Sequence, residues 1–219
     1  ARWNGVAVVK GGVFAILKST VYIFGLGLLS DSGVTKWRLW VAAFTSVAAS
    51  LVALRCDNLK ARLAYSTVSQ LSYIVLGALL VNATAIKGSA LHIATHAFGK
   101  ITLFFCAGAI LVATHKTKIS EMGGLGRRMP LTMGAFLIAS ISIAGLPPMG
   151  GVWCKWYLAV GSLDAGCSIL VGVLMVCALL IIAYLFPISG RGLFRKEPSG
   201  PGPGIIEAPT PCLVAIGVT

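Results

Sequence analysis

His92, His96 and Lys100 stand four residues apart in "HIATHAFGKITLFF" (92–105), inside one of the most apolar parts of the chain. On a helix this spacing puts all three on one face, with neighbouring Cβ atoms roughly 5–6 Å apart, a gap that one water can bridge. Each can take or give a proton, and Thr95 and Thr102 add hydroxyls nearby. A line of such groups is what proton transfer through hydrocarbon requires. Desolvation disfavours the charged form of an amine, so a lysine kept from water can exchange its proton. Histidine titrates near neutrality unaided. A lysine at the centre of a membrane helix costs roughly 2.5–3.5 kcal/mol, where leucine would be favourable. That cost argues for a functional Lys100, because apolar residues extend on both sides past the reach of its own stem. A snorkelling Lys100 and a simple packing role for His92 are the bland alternatives.

Two further lysines repeat the pattern. In "GVAVVKGGVFAILK" (5–18), Lys10 lies within an apolar run and is followed by Gly11 and Gly12, which let backbone, water or another helix come close. Lys18, two turns on, is a secondary candidate for the same face. Lys155 follows the interruption "GLPPMGG" (145–151), in which Gly145, Pro147, Pro148, Gly150 and Gly151 break an otherwise apolar stretch. Backbone groups freed at membrane depth are tolerated only inside protein or beside a wet cavity, and broken helices mark ion sites in transporters for that reason. Trp153 and Trp156 support the opposite reading, an interfacial belt with Lys155 among lipid headgroups. A fourth group lies in "RCDNLKARLAYSTVSQLSY" (55–73). There Asp57 and Lys60, at i and i+3, can pair on a helical turn, or the stretch is a solvated loop and helix start. Ser66, Ser69 and Gln70 suit helix–helix contacts better than proton conduction.

The elements that must position these groups are set by composition. Of 219 residues, 57% are hydrophobic and 11% charged, against about 25% charged in an ordinary soluble domain. The chain cannot coat a water-soluble globule and reads as an integral, multi-pass membrane protein. A formal net charge of +12 raises nucleic acid as a partner. The basic residues fall instead in short segments between apolar runs, at Lys36/Arg38, Arg55–Arg62, Lys116–Arg128 and Arg191–Lys196, where membrane proteins keep them. Nucleic acid is rejected. Cys56, Cys106, Cys154, Cys167, Cys177 and Cys212 form no C-x-x-C pair, so neither a disulfide framework nor a metal or iron–sulfur site is expected.

Crossing about 30 Å of hydrocarbon takes about 20 helical residues. Spans are expected near 6–29, 38–55, 63–82, 86–114 and 166–188, with the interrupted region 131–163 forming either two short spans or one bent, discontinuous helix. The expected fold is an all-α membrane bundle over 1–190, with six or seven spans and a Gly/Pro-interrupted helix. A Pro/Gly loop and the start of a further span follow over 191–219. Lys and Arg on alternate loops are nearly equal under this segmentation, so they do not orient it. The chain starts without methionine and ends as an apolar run begins, the expectation being a fragment of a longer protein.

As an ordered set, "VAVVKGGVF", "DNLKARLAYSTVSQLSYIVLG", "LHIATHAFGKITLFFCAGAI" and "ISEMGGLGRRMP…AGLPPMGGVWCKWYLAVGSL" resemble the antiporter-like membrane subunits. These are the proton-pumping subunits of respiratory complex I, the Mrp-type cation/proton antiporters (which the wording resembles most) and membrane-bound hydrogenases. The resemblance covers roughly 5–190. It implies inverted helix bundles, each with a discontinuous helix, and a central hydrophilic axis. Lys10 resembles the lysine of the first discontinuous helix. His96 and Lys100 match a central His-Ala-Phe-x-Lys segment. Lys155 matches the ionisable residue of the second discontinuous helix, and Lys60 a recurrent Asp-x-Lys-Arg-like element. The family's pairing glutamate belongs upstream and is absent, which implies the second half of a subunit, unable to conduct protons alone.

The expectation is a proton or cation/proton translocating subunit of a multisubunit complex in a bacterial or archaeal plasma membrane. Its relay would be Lys10, His96, Lys100 and Lys155, with Asp57, Lys60 and His92 secondary and no cofactor. Its partners would be lipid, other membrane subunits, and protons with Na⁺ or K⁺. The parent complex is left open between an antiporter, a proton-pumping NADH:quinone oxidoreductase and a hydrogenase, the subunit carrying no redox site itself. Two rivals stand: a redox subunit with haem or metal on His92 and His96, and a purely structural membrane subunit.

Overall fold

The computed structural model describes residues 4–24, 34–115, 117–194 and 207. Most of the expected Pro/Gly tail lies outside them. The described residues form α1 (Asn4–Lys18), α2 (Val34–Arg55), α3 (Leu59–Leu79), α4 (Ala83–Thr114), α5 (Pro130–Ala144), α6 (Gly151–Asp164) and α7 (Ser168–Phe194). α1 continues as a π-helical turn, Ser19–Phe24. α2, α4 and α7 are long and apolar enough to cross a membrane.

Several helices begin earlier than hydropathy suggests, because polar caps lie outside the apolar runs. The Asn58 side chain accepts from the Lys60 and Ala61 amides, so α3 starts at Leu59. Asn82 does the same for Thr84 at the head of α4. Arg62, grouped by sequence with a basic loop, is therefore a helical residue and only 9% exposed. Its guanidinium donates to Cys56 O (2.8 Å), Leu54 O (3.3 Å) and Tyr184 O (3.0 Å), tying the α2–α3 hairpin to α7. Residues 191–194, expected in the loop, belong to α7.

α4 is the axis, and α5 and α6 pass along it in order. A Cβ on Gly99 would lie 2.9 Å from Ile143, one on Gly150 3.2 Å from Thr95, one on Gly88 3.0 Å from the Leu158 amide, and one on Gly161 2.7 Å from the Ala85 amide. The contacts descend α4 as the chain ascends α5 and α6, so the pair follows one path antiparallel to α4, interrupted at 145–150. Glycine is required at the break. Gly145 takes φ +79°, and a Cβ there would lie 2.8 Å from the Lys155 side chain. The Pro147–Pro148 peptide is cis. Glu207 accepts from the Leu131 amide (2.9 Å) and the Thr132 hydroxyl (3.2 Å) at the N-terminus of α5.

At the end of the bundle formed by 56–58 and 117–121, two connections pair. Leu59 N donates to Thr117 O and Ile119 N to Asp57 O. The main core packs α3, α4, α5 and α7 around Tyr73, Leu103, Phe136 and Tyr184, all fully buried.

Candidate proton-transfer site

Lys100 sits on α4 and is 1% exposed. Its amine donates to Leu63 O at 3.1 Å and to the Ser66 hydroxyl, both on α3. Ser66 Oγ in turn donates to Leu63 O. Lys100 does not snorkel. One turn away, His96 is buried with neither ring nitrogen hydrogen-bonded, and a further turn on, the His92 ring stacks on it at 5.7 Å and 19°. His92 Nδ1 lies 3.1 Å from Cys154 Sγ on α6, and its ring edge meets Tyr73 at 5.6 Å. Cys154 Sγ donates to Gly151 O and lies 3.7 Å from the Thr95 hydroxyl.

Lys155 closes the row. Its amine donates to Ile143 O (3.0 Å) and Ala144 O (2.6 Å), the last carbonyls of α5, and stands 6.0 Å from the centre of the Tyr73 ring. Trp153 and Trp156, each 62% exposed, point outward on the other side of α6. The interfacial reading thus describes the tryptophans but not the lysine between them. Gln70, His92, Thr95, His96, Ser142, Ile143 and Gly151 line a gap of about 170 Å³ that is too narrow for a water molecule. Gln70 is fully buried, and its amide nitrogen and oxygen make no hydrogen bond of standard geometry.

Lys10 joins from α1, which packs through Val13 on Leu71 and Ile74. Its amine is buried without a hydrogen-bond partner among the described residues and lies within electrostatic reach of Lys100 and His96. α1 is unbroken through Lys10, unlike the discontinuous helix the resemblance implied there. Gly11 and Gly12 meet no described atom within 4 Å. Lys18 and Lys60 are exposed and stand apart from the row. The Asp57–Lys60 pair is not made. Asp57 instead accepts from the Ser120 amide (3.1 Å) and hydroxyl (2.7 Å), and the latter bond foremost holds its carboxyl below the usual carboxylate range.

Ser66 makes a helix–helix contact, as the sequence suggested, and its partner is Lys100; Cys154 beside His92 was not singled out. A signal existed for Ser66. Arg62, Ser66, Gln70 and Tyr73 recur at helical spacing along α3 and form a polar stripe on one of its faces. Cys154 is 62 positions from His92, and nothing in its own neighbourhood marks it. Among the described residues no group of three His, Cys, Asp or Glu is arranged to hold a metal ion.

A helical membrane protein whose inner polar row is made of amines and imidazoles, set against a break in the chain, is the class this geometry defines. The chain matches the family described as "NADH:quinone oxidoreductase/Mrp antiporter, TM" over residues 6–181, and it belongs to that family. It is 39% identical over 188 residues to NADH-quinone oxidoreductase subunit N of Desulforudis audaxviator, covering 81% of this chain and 38% of that protein. To an Na⁺/H⁺ antiporter subunit of Alkalihalophilus pseudofirmus it is 29% identical over 221 residues, covering 98% of this chain and 44% of that one. Among solved structures, a chain of the Mrp complex from Dietzia sp. superposes with a TM-score of 0.75 at 28% identity, covering 87% of this chain and 35% of its own length. The chain thus spans less than half the length of these relatives.

Proposed function

We propose that the chain supplies proton-translocating machinery to a multisubunit membrane complex. Lys100, His96, His92 and Lys155 would pass the proton and Lys10 would feed the same row. The observation that carries this is the run of titratable groups from Lys100 through the stacked imidazoles to Lys155, buried at the first three and half-buried at Lys155, without a carboxylate against it among the described residues. Several buried bases close together repel when all are charged, so a proton on one discourages a proton on the next. That coupling lets charge move stepwise. Water must enter the gap beside Gln70 and the imidazoles to complete the wire, so hydration there is part of the cycle. The acid that balances the lysines would come from outside the described residues.

The relatives include subunits of an Na⁺/H⁺ antiporter, of quinone-reducing dehydrogenases and of a hydrogenase, and the row would serve any of these parent complexes in the plasma membrane of a bacterium or archaeon. The bundle over 1–190 would be its membrane part, with 191–219 leading onward. The haem reading fits the geometry poorly, because His92 and His96 stack nearly parallel on one side of a single helix, whereas axial ligands must oppose each other across the ring. A Soret band in the purified protein would revive it.

The test uses the full-length subunit in its assembled complex, reconstituted into proteoliposomes. Lys100→Ala and Lys155→Ala each abolish proton flux while assembly is kept. Flux retained in both variants would falsify the relay, and loss of assembly with normal residual flux would mark the lysines as structural.

A further inference from the structure

We propose that the C-terminal end of α5 is a binding site for one dehydrated monovalent cation, and that the Lys155 ammonium is a tethered competitor for it. The inference deepens the relay reading, on which it rests, by naming the class of ion exchanged against the proton. Ile143 O and Ala144 O are the last carbonyls of α5. The break carries the chain away, and the Gly145 and Leu146 amides turn back to Ile141 O and Ser142 O. The two outer carbonyls converge instead on Lys155 Nζ, at 3.0 and 2.6 Å.

The surroundings are those of a cation site. The negative end of the helix dipole points at the amine, and the Tyr73 ring stands 6.0 Å away. Gln70, three residues before Tyr73 on α3, places a fully buried amide, with no hydrogen bond of standard geometry, in the gap shared with Ser142 and Ile143. We assign its oxygen, which borders the same gap as Ile143, as the third neutral donor. The titratable groups facing the amine are His92 and His96 from α4, Tyr73 from α3, Cys154 from its own helix and Cys177 from α7. None of these, among the described residues, is a carboxylate. Calcium and magnesium are held by carboxylates, whereas rings of carbonyl oxygens replace the hydration shell of a potassium ion. An ammonium and a potassium ion are close in size, so carbonyls spaced for Nζ are spaced for such an ion, and the space it needs is the space the amine vacates. Occupancy is then mutually exclusive. When Lys155 gives up its proton and withdraws, one cation enters; when a proton returns, the ammonium displaces it. One charge replaces one charge, which is the elementary step of cation/proton exchange.

The experiment measures equilibrium binding of ²²Na⁺ and, separately, ⁸⁶Rb⁺ to the purified complex containing the full-length subunit. The forms compared are wild type, Lys155→Ala, Lys155→Arg and the double variant Lys155→Ala/Gln70→Ala. Lys155→Ala is expected to bind one more ion per subunit than wild type in mild acid, with Rb⁺ preferred to Na⁺. Wild type approaches it as pH rises, Lys155→Arg binds no extra ion at any pH, and removing Gln70 weakens binding at least tenfold. Binding by Lys155→Ala no greater than wild type for both ions overturns the site. Should Lys155→Ala not assemble, pH-independent binding by wild type overturns it equally. Flux lost without ion binding sinks the cation site and leaves the relay standing. Ion binding with flux retained sinks the relay and leaves the site.

Discussion

Removing the Ser66 hydroxyl tests whether Lys100 works as a proton carrier held by α3. Lys100 Nζ has two acceptors, Leu63 O at 3.1 Å and Ser66 Oγ, and Ser66 spends its own proton on Leu63 O at 3.0 Å. The serine oxygen is therefore oriented to receive from the amine. A hydrogen bond to a charged group contributes about 1.5–3 kcal/mol, and about 1.4 kcal/mol is a factor of ten in an equilibrium. Ser66→Ala should lower the proton occupancy of Lys100, and with it the flux at fixed pH, by about 10- to 100-fold. The carbonyl of Leu63 stays in place, so the amine is not left wholly unpaired and the protein should still assemble. The assay is proton flux into proteoliposomes holding the complete complex, with assembly followed on native gels. Ser66→Thr keeps an oxygen at the same position and largely restores flux, which a packing defect would not allow. Wild-type flux from assembled Ser66→Ala complex would refute the reasoning.

Arg62→Lys keeps the charge but cannot reach Cys56 O, Leu54 O and Tyr184 O together. It should cost about 2–4 kcal/mol, seen as a lower melting temperature of the solubilised complex, and an unchanged melting temperature would remove Arg62 as the anchor of the α2–α3 hairpin. Asp57 has its carboxyl held below the ordinary range, so its contribution is present above that range and is lost as pH falls through the depressed value. The melting advantage of wild type over Asp57→Asn should accordingly be seen at neutral pH and vanish in strong acid, and an advantage that grew toward acid would contradict the Ser120 bonds.

The row on α4 was legible because four-residue spacing within one helix fixes a shared face without knowledge of any neighbour. Lys155 was legible because glycine and proline announce a break wherever they occur together. What lay across helices was not. The partners of Lys100 are 34 and 37 positions away, and Arg62 reaches 122 positions to Tyr184. Such pairs depend on the register of one helix against another. In a soluble bundle an amphipathic stripe reveals which face turns inward. In these helices the lipid face is as apolar as the core, with Phe44, Phe98 and Leu179 exposed beside buried Leu63, Leu103 and Ile181. The surviving clue is small residues: Gly88, Gly99 and Gly161 mark where α4 meets α5 and α6. The Asn58 and Asn82 caps were readable as signals, and hydropathy outvoted them.

The single path of α5 and α6 also changes how charge orients the protein. Counted as two crossings, the interrupted region put consecutive basic loops on alternate sides and the totals nearly cancelled. Counted as one, it leaves Arg55, Lys60, Arg62, Lys118, Arg127, Arg128 and Arg191 at the end where 56–58 pairs with 117–121, against Lys18, Lys36, Arg38 and Lys87 toward the other. Basic residues near helix ends are retained on the cytoplasmic side, so that end should face the cytoplasm. Two native thiols report it. Cys56 is half-buried at the basic end, and Cys167 is half-buried in the α6–α7 connection at the opposite end. With each kept as the sole accessible cysteine of the full-length subunit, a membrane-impermeant maleimide should label Cys167 in right-side-out vesicles and Cys56 in inverted ones. The reverse pattern would mean that the basic end faces outward, and labelling of both cysteines from one side would mean that α5 and α6 are separate crossings.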